Sequence, residues 1–253
     1  PPPSLRSAVS AISSFLENSQ TIQSLSLSGT PLSDNAALAI AESLIRNPQI
    51  SLTTLDISNT NLNVRGLEAL CTTITELPSL KVLSLASNDL PRQGGVVIGR
   101  MMRLRHGLPA VDCSGNDFGD LGASAIGGSM AAVTKVWRLT MLDLSNNNIK
   151  FDGFEKLCEG LKSCHSASAS ASTSTSTSSN PNTPPLMVLK LGGNDLTPRG
   201  GKMLASLLKA RNYQISNTLE ELDLGNCNIG ESGAAAICEA WVNCSALRIC
   251  DVS

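Results

Sequence analysis

The sequence predicts an α/β solenoid: a parallel inner sheet of about eight short strands with helices along the outside. Three observations carry that prediction. The spacing LxxLxL, with aliphatic residues or Cys at its fixed places, recurs eight times, beginning at Ile22, Leu52, Leu80, Leu108, Leu139, Leu186, Leu219 and Leu247. Three residues beyond the last aliphatic of each of the first seven segments stands Thr30, Thr60, Asn88, Asn116, Asn147, Asn194 or Cys227, where a buried side chain can hydrogen-bond loop backbone. Six residues further on comes Ala36, Gly66, Gly94, Gly122, Gly153, Gly200 or Gly233, followed by aliphatic pairs at i and i+4, such as Ile40 with Leu44 and Leu204 with Leu208, which share one helix face.

Each unit therefore reads as a strand, a turn and a helix of about three turns, with Pro or Gly in the joining loops, as at Pro48, Pro78 and Pro109. No unit can close its own core, so the strands must stack in register, about 4.8 Å apart, with the aliphatic rows sandwiched between sheet and helices. The wider helix side then curves the stack into a horseshoe. Residues 1–21 carry Ile12 and Leu16 at the spacing of the helical half of a preceding repeat. Repeats fill 22–163. Successive starts differ by 30, 28, 28, 31, 47, 33 and 28 residues, and the long interval holds HSASASASTSTSTSSNPNTPP. Ser alternating with Ala or Thr has no apolar face to bury, so 164–185 is expected to be a disordered insert, a tolerated expansion at a surface loop. Repeats resume over 186–253 and stop just after a strand without a cap. With no initial Met, this leads us to expect part of a longer chain or a larger assembly.

Composition narrows the function. A formal net charge of −2, with 3% aromatic residues, lacks both the cations that phosphate backbones attract and the platforms on which bases stack, so no nucleic-acid partner is expected. No apolar run is long enough to cross a membrane, and none is expected as a partner. The two histidines, His106 in RLRHGLP and His165 at the insert, are poorly placed as a catalytic base; His106 reads as a cation at a helix C-terminus. No GxxxxGK[ST], GxGxxG, HExxH or CxxC spacing occurs, so no cofactor, metal or catalytic residue is expected. The repeat register absorbs the cysteines. Cys71, Cys158 and Cys238 share one helical place, Cys113 and Cys250 fill strand places and Cys227 takes the Asn place, all as small buried hydrophobes, while Cys164 and Cys244 fall near helix ends and are expected at the surface. This usage fits a reducing, cytoplasmic setting.

With LxxLxLxxN followed by a helix, the pattern resembles the leucine-rich repeat family in its ribonuclease-inhibitor-like subtype, over residues 22–253 apart from the insert. That resemblance implies Asn88, Asn116, Asn147 and Asn194 as a structural ladder and a concave sheet that meets partners. On that face the central strand place runs Ser26, Asp56, Ser84, Asp112, Asp143, Lys190, Asp223 and Asp251. Two residues earlier lies Ser24, Thr54, Val82, Ala110, Met141, Val188, Glu221 and Ile249. An acidic row thus borders an apolar stripe, and we expect Asp56, Val82, Asp112, Met141, Asp143, Val188, Lys190 and Asp223 to bind another protein. SLSGTPLSD and LDISNTNL look most like repeats of the capping-protein linker family and its tropomodulin-like relatives, which implies a non-catalytic scaffold in cytoskeletal or ciliary assembly. Two alternatives remain. GTPase activators of the Ran class share this subtype and use a rim residue; here Arg65, Arg92 and Arg199 precede the helix glycine. An NLR-type sensor would require an upstream nucleotide-binding domain.

Overall fold

The computed structural model describes residues 5–105, 108–132, 138–166, 186–210 and 215–253. Among the described residues eight three-residue strands form one sheet in chain order, every neighbouring pair parallel. They are β1 (Ser24–Ser26), β2 (Thr54–Asp56), β3 (Val82–Ser84), β4 (Ala110–Asp112), β5 (Met141–Asp143), β6 (Val188–Lys190), β7 (Glu221–Asp223) and β8 (Ile249–Asp251). Among the described residues the helices are α1 (Leu5–Asn18), α2 (Asp34–Arg46), α3 (Val64–Thr75), α4 (Arg92–Leu104), α5 (Gly119–Ala132), α6 (Phe151–Ser166), α7 (Thr197–Lys209), the single turn α8 (Ile215–Thr218) and α9 (Gly230–Trp241). The expected α/β solenoid is therefore observed. α8 was not foreseen; it lies in the 33-residue interval and buries Ile215 and Ser216 beneath α7.

One continuous core, aliphatic for the most part with Phe118 and Phe154 fully buried in it, lies between sheet and helices. Leu55, Leu83, Val111, Leu142, Leu189 and Leu222, the middle residues of β2–β7, are fully buried, as are Ile40, Leu70, Ile98, Ile126, Leu157, Leu204 and Ile237 on the facing helices. Helix axes pack about 8–10 Å apart and strands about 4.8 Å apart, so the sheet is the concave side of the stack.

Register comes from the asparagines. Asn116 Oδ1 accepts from the N–H groups of Asn88 (3.2 Å) and Leu90 (3.0 Å) in the preceding turn, and its amide nitrogen donates to the carbonyls of Leu85 (3.1 Å) and Cys113 (2.8 Å). Asn88 serves Thr60 and Leu62 in the same way, and Asn194 serves Asn147 and Ile149. Asn147 donates to Cys113 and Ser145, while its Oδ1 is buried without a partner. At the last such place Cys227 Sγ contacts the Leu191 carbonyl at 3.1 Å. The turns bend left-handed on both sides of the ladder residue: Asn59 and Asn61, Ser87 and Asp89, Asn146 and Asn148, and Asn226 and Asn228 have φ between 51° and 56°. Short polar side chains tolerate that region, which is why Asn, Asp and Ser crowd these loops. Thr30, expected to be buried, is exposed in the first turn, whose outer flank is not covered by any of the described residues.

Glycine sets how closely the helices approach. A Cβ at Gly95 would lie 2.5 Å from Gly122 Cα, and one at Gly99 would lie 2.7 Å from the Ala125 carbonyl oxygen. A Cβ at Gly127 would collide with the Lys156 carbonyl, and one at Gly160 with that of Gly127. The same closeness joins Gly201 of α7 to Gly233 of α9. The helix-start glycines are small for a local reason: a Cβ at Gly66 would come within 2.8 Å of Leu62 Cδ1. Such contacts bring helix spacing nearer to strand spacing and ease the curvature across α4–α6.

α6 runs to Ser166, so the first three residues of the expected insert are helical; the remainder, 167–185, lies outside the described residues, as does His106. The cation found meeting loop carbonyls beside it is Arg105, whose guanidinium donates to Leu77 at 2.7 Å and Pro78 at 3.0 Å; burial lowers its pKa. Replacing Asn116 by Ala leaves the buried N–H groups of Asn88 and Leu90 unpaired, while the Leu85 and Cys113 carbonyls keep the amides of Asn88 and Asn147, and should cost about 2–4 kcal/mol in urea unfolding. Gly127→Ala should cost about 1–3 kcal/mol by forcing α5 and α6 apart; an unchanged midpoint in either variant would contradict these packing assignments.

Candidate concave binding face

Parallel pairing places the strand residues in straight columns. Val82 pairs with Ala110, Ala110 with Met141 and Met141 with Val188, making an apolar run across β3–β6. Val82 is 40% exposed; Ala110, Met141 and Val188 are half-buried. The third strand residues form the second column, in which Asp112 pairs with Asp143 and Asp143 with Lys190. The structure therefore brings Val82, Met141, Val188, Asp112, Asp143 and Lys190 onto adjoining strands, with Asp56 two strands before Asp112 and Asp223 just after Lys190. Half-buried Pro109 and Met187, the residues just before β4 and β6, add apolar surface at the strands' entry edge. Sequence reading missed both; the signal was the place one residue ahead of the apolar stripe.

The acids have a second task. Each caps the turn that follows its strand: Ser58 N–H donates to Asp56 at 3.0 Å, Ser114 to Asp112 at 3.0 Å, Ser145 to Asp143 at 2.9 Å, Gly225 to Asp223 at 2.9 Å and Ser253 to Asp251 at 2.9 Å. Hydroxyls of the preceding strand add to this, as Ser26 donates to Asp56 at 2.8 Å and Ser84 to Asp112 at 3.2 Å. Lys190 is the column's lone cation, and it pairs with Glu221 of the neighbouring column, Nζ to Oε1 2.8 Å. That hydrogen bond chiefly raises the Lys190 pKa, with smaller contributions from the charges of Glu221, Asp143 and Asp223, so Lys190 is engaged first with its lateral partner.

Two aspartates respond in opposite directions. At Asp143 burial is the largest influence; with Asp112 it outweighs Lys190 and the Ser145 hydrogen bond, so the carboxyl is raised above its ordinary value. At Asp56 burial also pushes upward, but the hydrogen bonds from Ser58 and Ser26 together hold the carboxyl below its ordinary value.

The rim arginines Arg65, Arg92 and Arg199 are all exposed, and Arg199 also stacks over the Phe151 ring, 4.2 Å to its centroid. In the hollow beside Arg92, Asp120 is committed to the start of α6, accepting from Lys150 (2.8 Å) and Gly153 (3.0 Å).

The cysteines correct two expectations. Cys238 is exposed, because it sits on the flank of α9 that a following helix would cover and none does here; Cys244 is buried, its thiol turned back toward Ala240. Cys71, Cys113, Cys158 and Cys227 are buried as expected, Cys250 half-buried. Burial pushes Cys71 and Cys158 up to about 12 and Cys227 and Cys250 to about 11, which keeps these thiols neutral and unreactive. The Cys164 side chain lies outside the described residues. Among the described residues no helix is long and apolar enough to cross a membrane, and no cluster of three or more His, Cys, Asp or Glu could hold a metal.

The folded-state shifts fix the sign of a pH experiment. A raised Asp143 pKa means folding favours the protonated form, so its penalty grows as pH rises through the window above the unfolded value of about 3.8. Asp143→Asn keeps the oxygen that Ser145 donates to and should melt higher than wild type at pH 7, the gain vanishing below about pH 4. Asp56→Asn should melt lower at pH 7, since a lowered pKa contributes stability that is lost only as pH falls below 3.8. Like signs for the two variants would contradict this electrostatic assignment.

Comparison with known proteins agrees with the geometry. A Leucine Rich repeat family model matches residues 18–41, 49–71, 110–127, 184–205 and 216–238, and a second Leucine Rich Repeat model matches 138–164. NACHT, LRR and PYD domains-containing protein 5 of Homo sapiens is 27% identical over 231 residues, 90% of this chain and 17% of that protein. Ribonuclease inhibitor of Mus musculus is 29% identical over 225 residues, 87% of this chain and 42% of that protein. The chain thus spans less than half the length of these curated relatives. The tropomodulin C-terminal domain of Caenorhabditis elegans shares the fold at a TM-score of 0.50 and 15% identity, over 62% of this chain and 92% of that one. With its family-model matches, its relatives and its asparagine ladder in agreement, the chain belongs to the leucine-rich repeat family, in the ribonuclease-inhibitor-like subtype.

Proposed function

We propose that this protein is a non-catalytic interaction scaffold that holds a partner protein on its concave face. The observation that carries the reading is the unbroken apolar run Val82, Ala110, Met141 and Val188 on paired strands, bordered on one side by Asp112 and Asp143. A soluble sheet face with no partner gains nothing from four adjoining apolar side chains, whereas an interface core does. The acidic border favours a partner segment that is basic beside its apolar contacts. A cytoplasmic setting in cytoskeletal or ciliary assembly is the narrower form of this proposal, and it rests on the likeness of SLSGTPLSD and LDISNTNL to the capping-protein linker and tropomodulin repeats.

A second reading, the repeat region of an NLR-type sensor, draws support from the similarity to NACHT, LRR and PYD domains-containing protein 5, and a nucleotide-binding segment joined to these repeats would decide for it. For a GTPase activator, Arg65, Arg92 and Arg199 are the exposed rim candidates, and a single-turnover GTP hydrolysis assay showing no acceleration would remove that option.

Crosslinking mass spectrometry from the native source should place partner crosslinks on the concave side. Met141→Glu should then reduce partner capture at least tenfold while leaving the circular dichroism spectrum unchanged. Undiminished capture would move the site to the convex helices.

A further inference from the structure

We propose that the occupant of the concave face is an amphipathic helix lying across β3–β6. Its apolar stripe would sit over Val82, Ala110, Met141 and Val188, with Lys or Arg beside that stripe over Asp112 and Asp143. This rests on the reading that a partner docks on the concave face, and it names the partner's local structure and charge.

Spacing favours a helix. Neighbouring strands are about 4.8 Å apart, and one helical turn advances about 5.4 Å, so over the three intervals from β3 to β6 a helix drifts by only about 2 Å. An extended chain advances about 6.8 Å for each pair of residues and drifts by about 6 Å, more than one repeat. A helix therefore keeps one residue per turn above each strand across the apolar run. The glycine contacts of α4 with α5 and α5 with α6 ease curvature behind these same strands, which suits a straight rod.

Charge sets the helix's orientation. The acids lie on one side of the apolar column only. On its other side, the residues just before β3–β6 are Lys81, Pro109, Thr140 and Met187, none of them acidic, and the exposed Lys81 would repel a cation there. The partner's cations therefore belong on one flank, over two consecutive turns. At the next strand Lys190, held by Glu221, disfavours a third. Beyond the acids the column Ala86, Ser114, Ser145 and Gly192 is small, leaving room for the long side chains that reach Asp112 and Asp143.

Fluorescence anisotropy with labelled synthetic peptides on the whole chain tests this. The first probe is a helix of about four turns with Leu once per turn and Lys beside it at the two central turns; the second has the same composition in alternating order; the third carries Glu for Lys. The helical Lys probe should bind at least tenfold tighter than the other two and weaken with added salt. It should also lose about tenfold or more on the double variant Asp112→Asn/Asp143→Asn, in which both turn acceptors remain. Equal or tighter binding of the alternating or the Glu probe would overturn the proposal. Should no probe bind while Met141→Glu still abolishes capture of the native partner, the helical occupant is rejected and the concave docking face stands. Should Met141→Glu also leave that capture intact, the docking face itself is rejected.

Discussion

The concave face depends on hydrogen bonds made behind it, those by which the buried carboxamides of Asn88, Asn116 and Asn194 each close the turn of the repeat before. A turn that bends left-handed on both sides of its ladder residue turns backbone N–H groups inward, away from water. Leu62, Leu90 and Ile149 would bury theirs unpaired if Asn88, Asn116 and Asn194 did not accept them. Because each acceptor belongs to the next repeat, satisfying a turn also fixes the register of two strands. The straight columns of Val82 to Val188 and of Asp112 to Asp143 keep that register, held between β4 and β5 by the Asn147 amide, which donates to the Cys113 carbonyl at 2.9 Å.

A similar economy explains the acidic row. Asp56, Asp112, Asp143, Asp223 and Asp251 each accept the backbone N–H two residues on, so an aspartate at this place has a structural reason to recur whether or not a partner exists. Acid alone is thus weak ground for a docking site. The apolar column carries more weight, since no turn, cap or ladder in the structure requires Met141 or Val188 to be apolar. At Asp143 the two demands meet: the carboxyl that caps the turn is also pressed by burial and by Asp112, a cost that a basic partner would relieve.

Legibility divides along the same line. The strands, helices, ladder and aspartate column follow from period and spacing, because every interior repeat faces the same neighbours. Prediction failed where a neighbour is missing or crosses columns. Thr30 and Cys238 were expected to be buried, but both are exposed, since none of the described residues covers the first turn or that flank of α9. Cys244 was placed at the surface by its position near a helix end, yet the chain folds it inward. Lys190 was read within its own column, whereas its partner Glu221 stands in the next one, a diagonal contact that spacing along one chain cannot show.

The amino-acid sequence by itself determined the repeat, the parallel order of the strands and which residues face inward, because a short unit that cannot close its own core has one way to stack. Only the tertiary structure decided how the helices approach, through Gly95, Gly99, Gly127 and Gly160. It alone decided which charges are neutralised and which apolar residues share an open surface. Those properties belong to pairs of repeats, and distances between side chains of neighbouring repeats are set by packing, not by position along the chain.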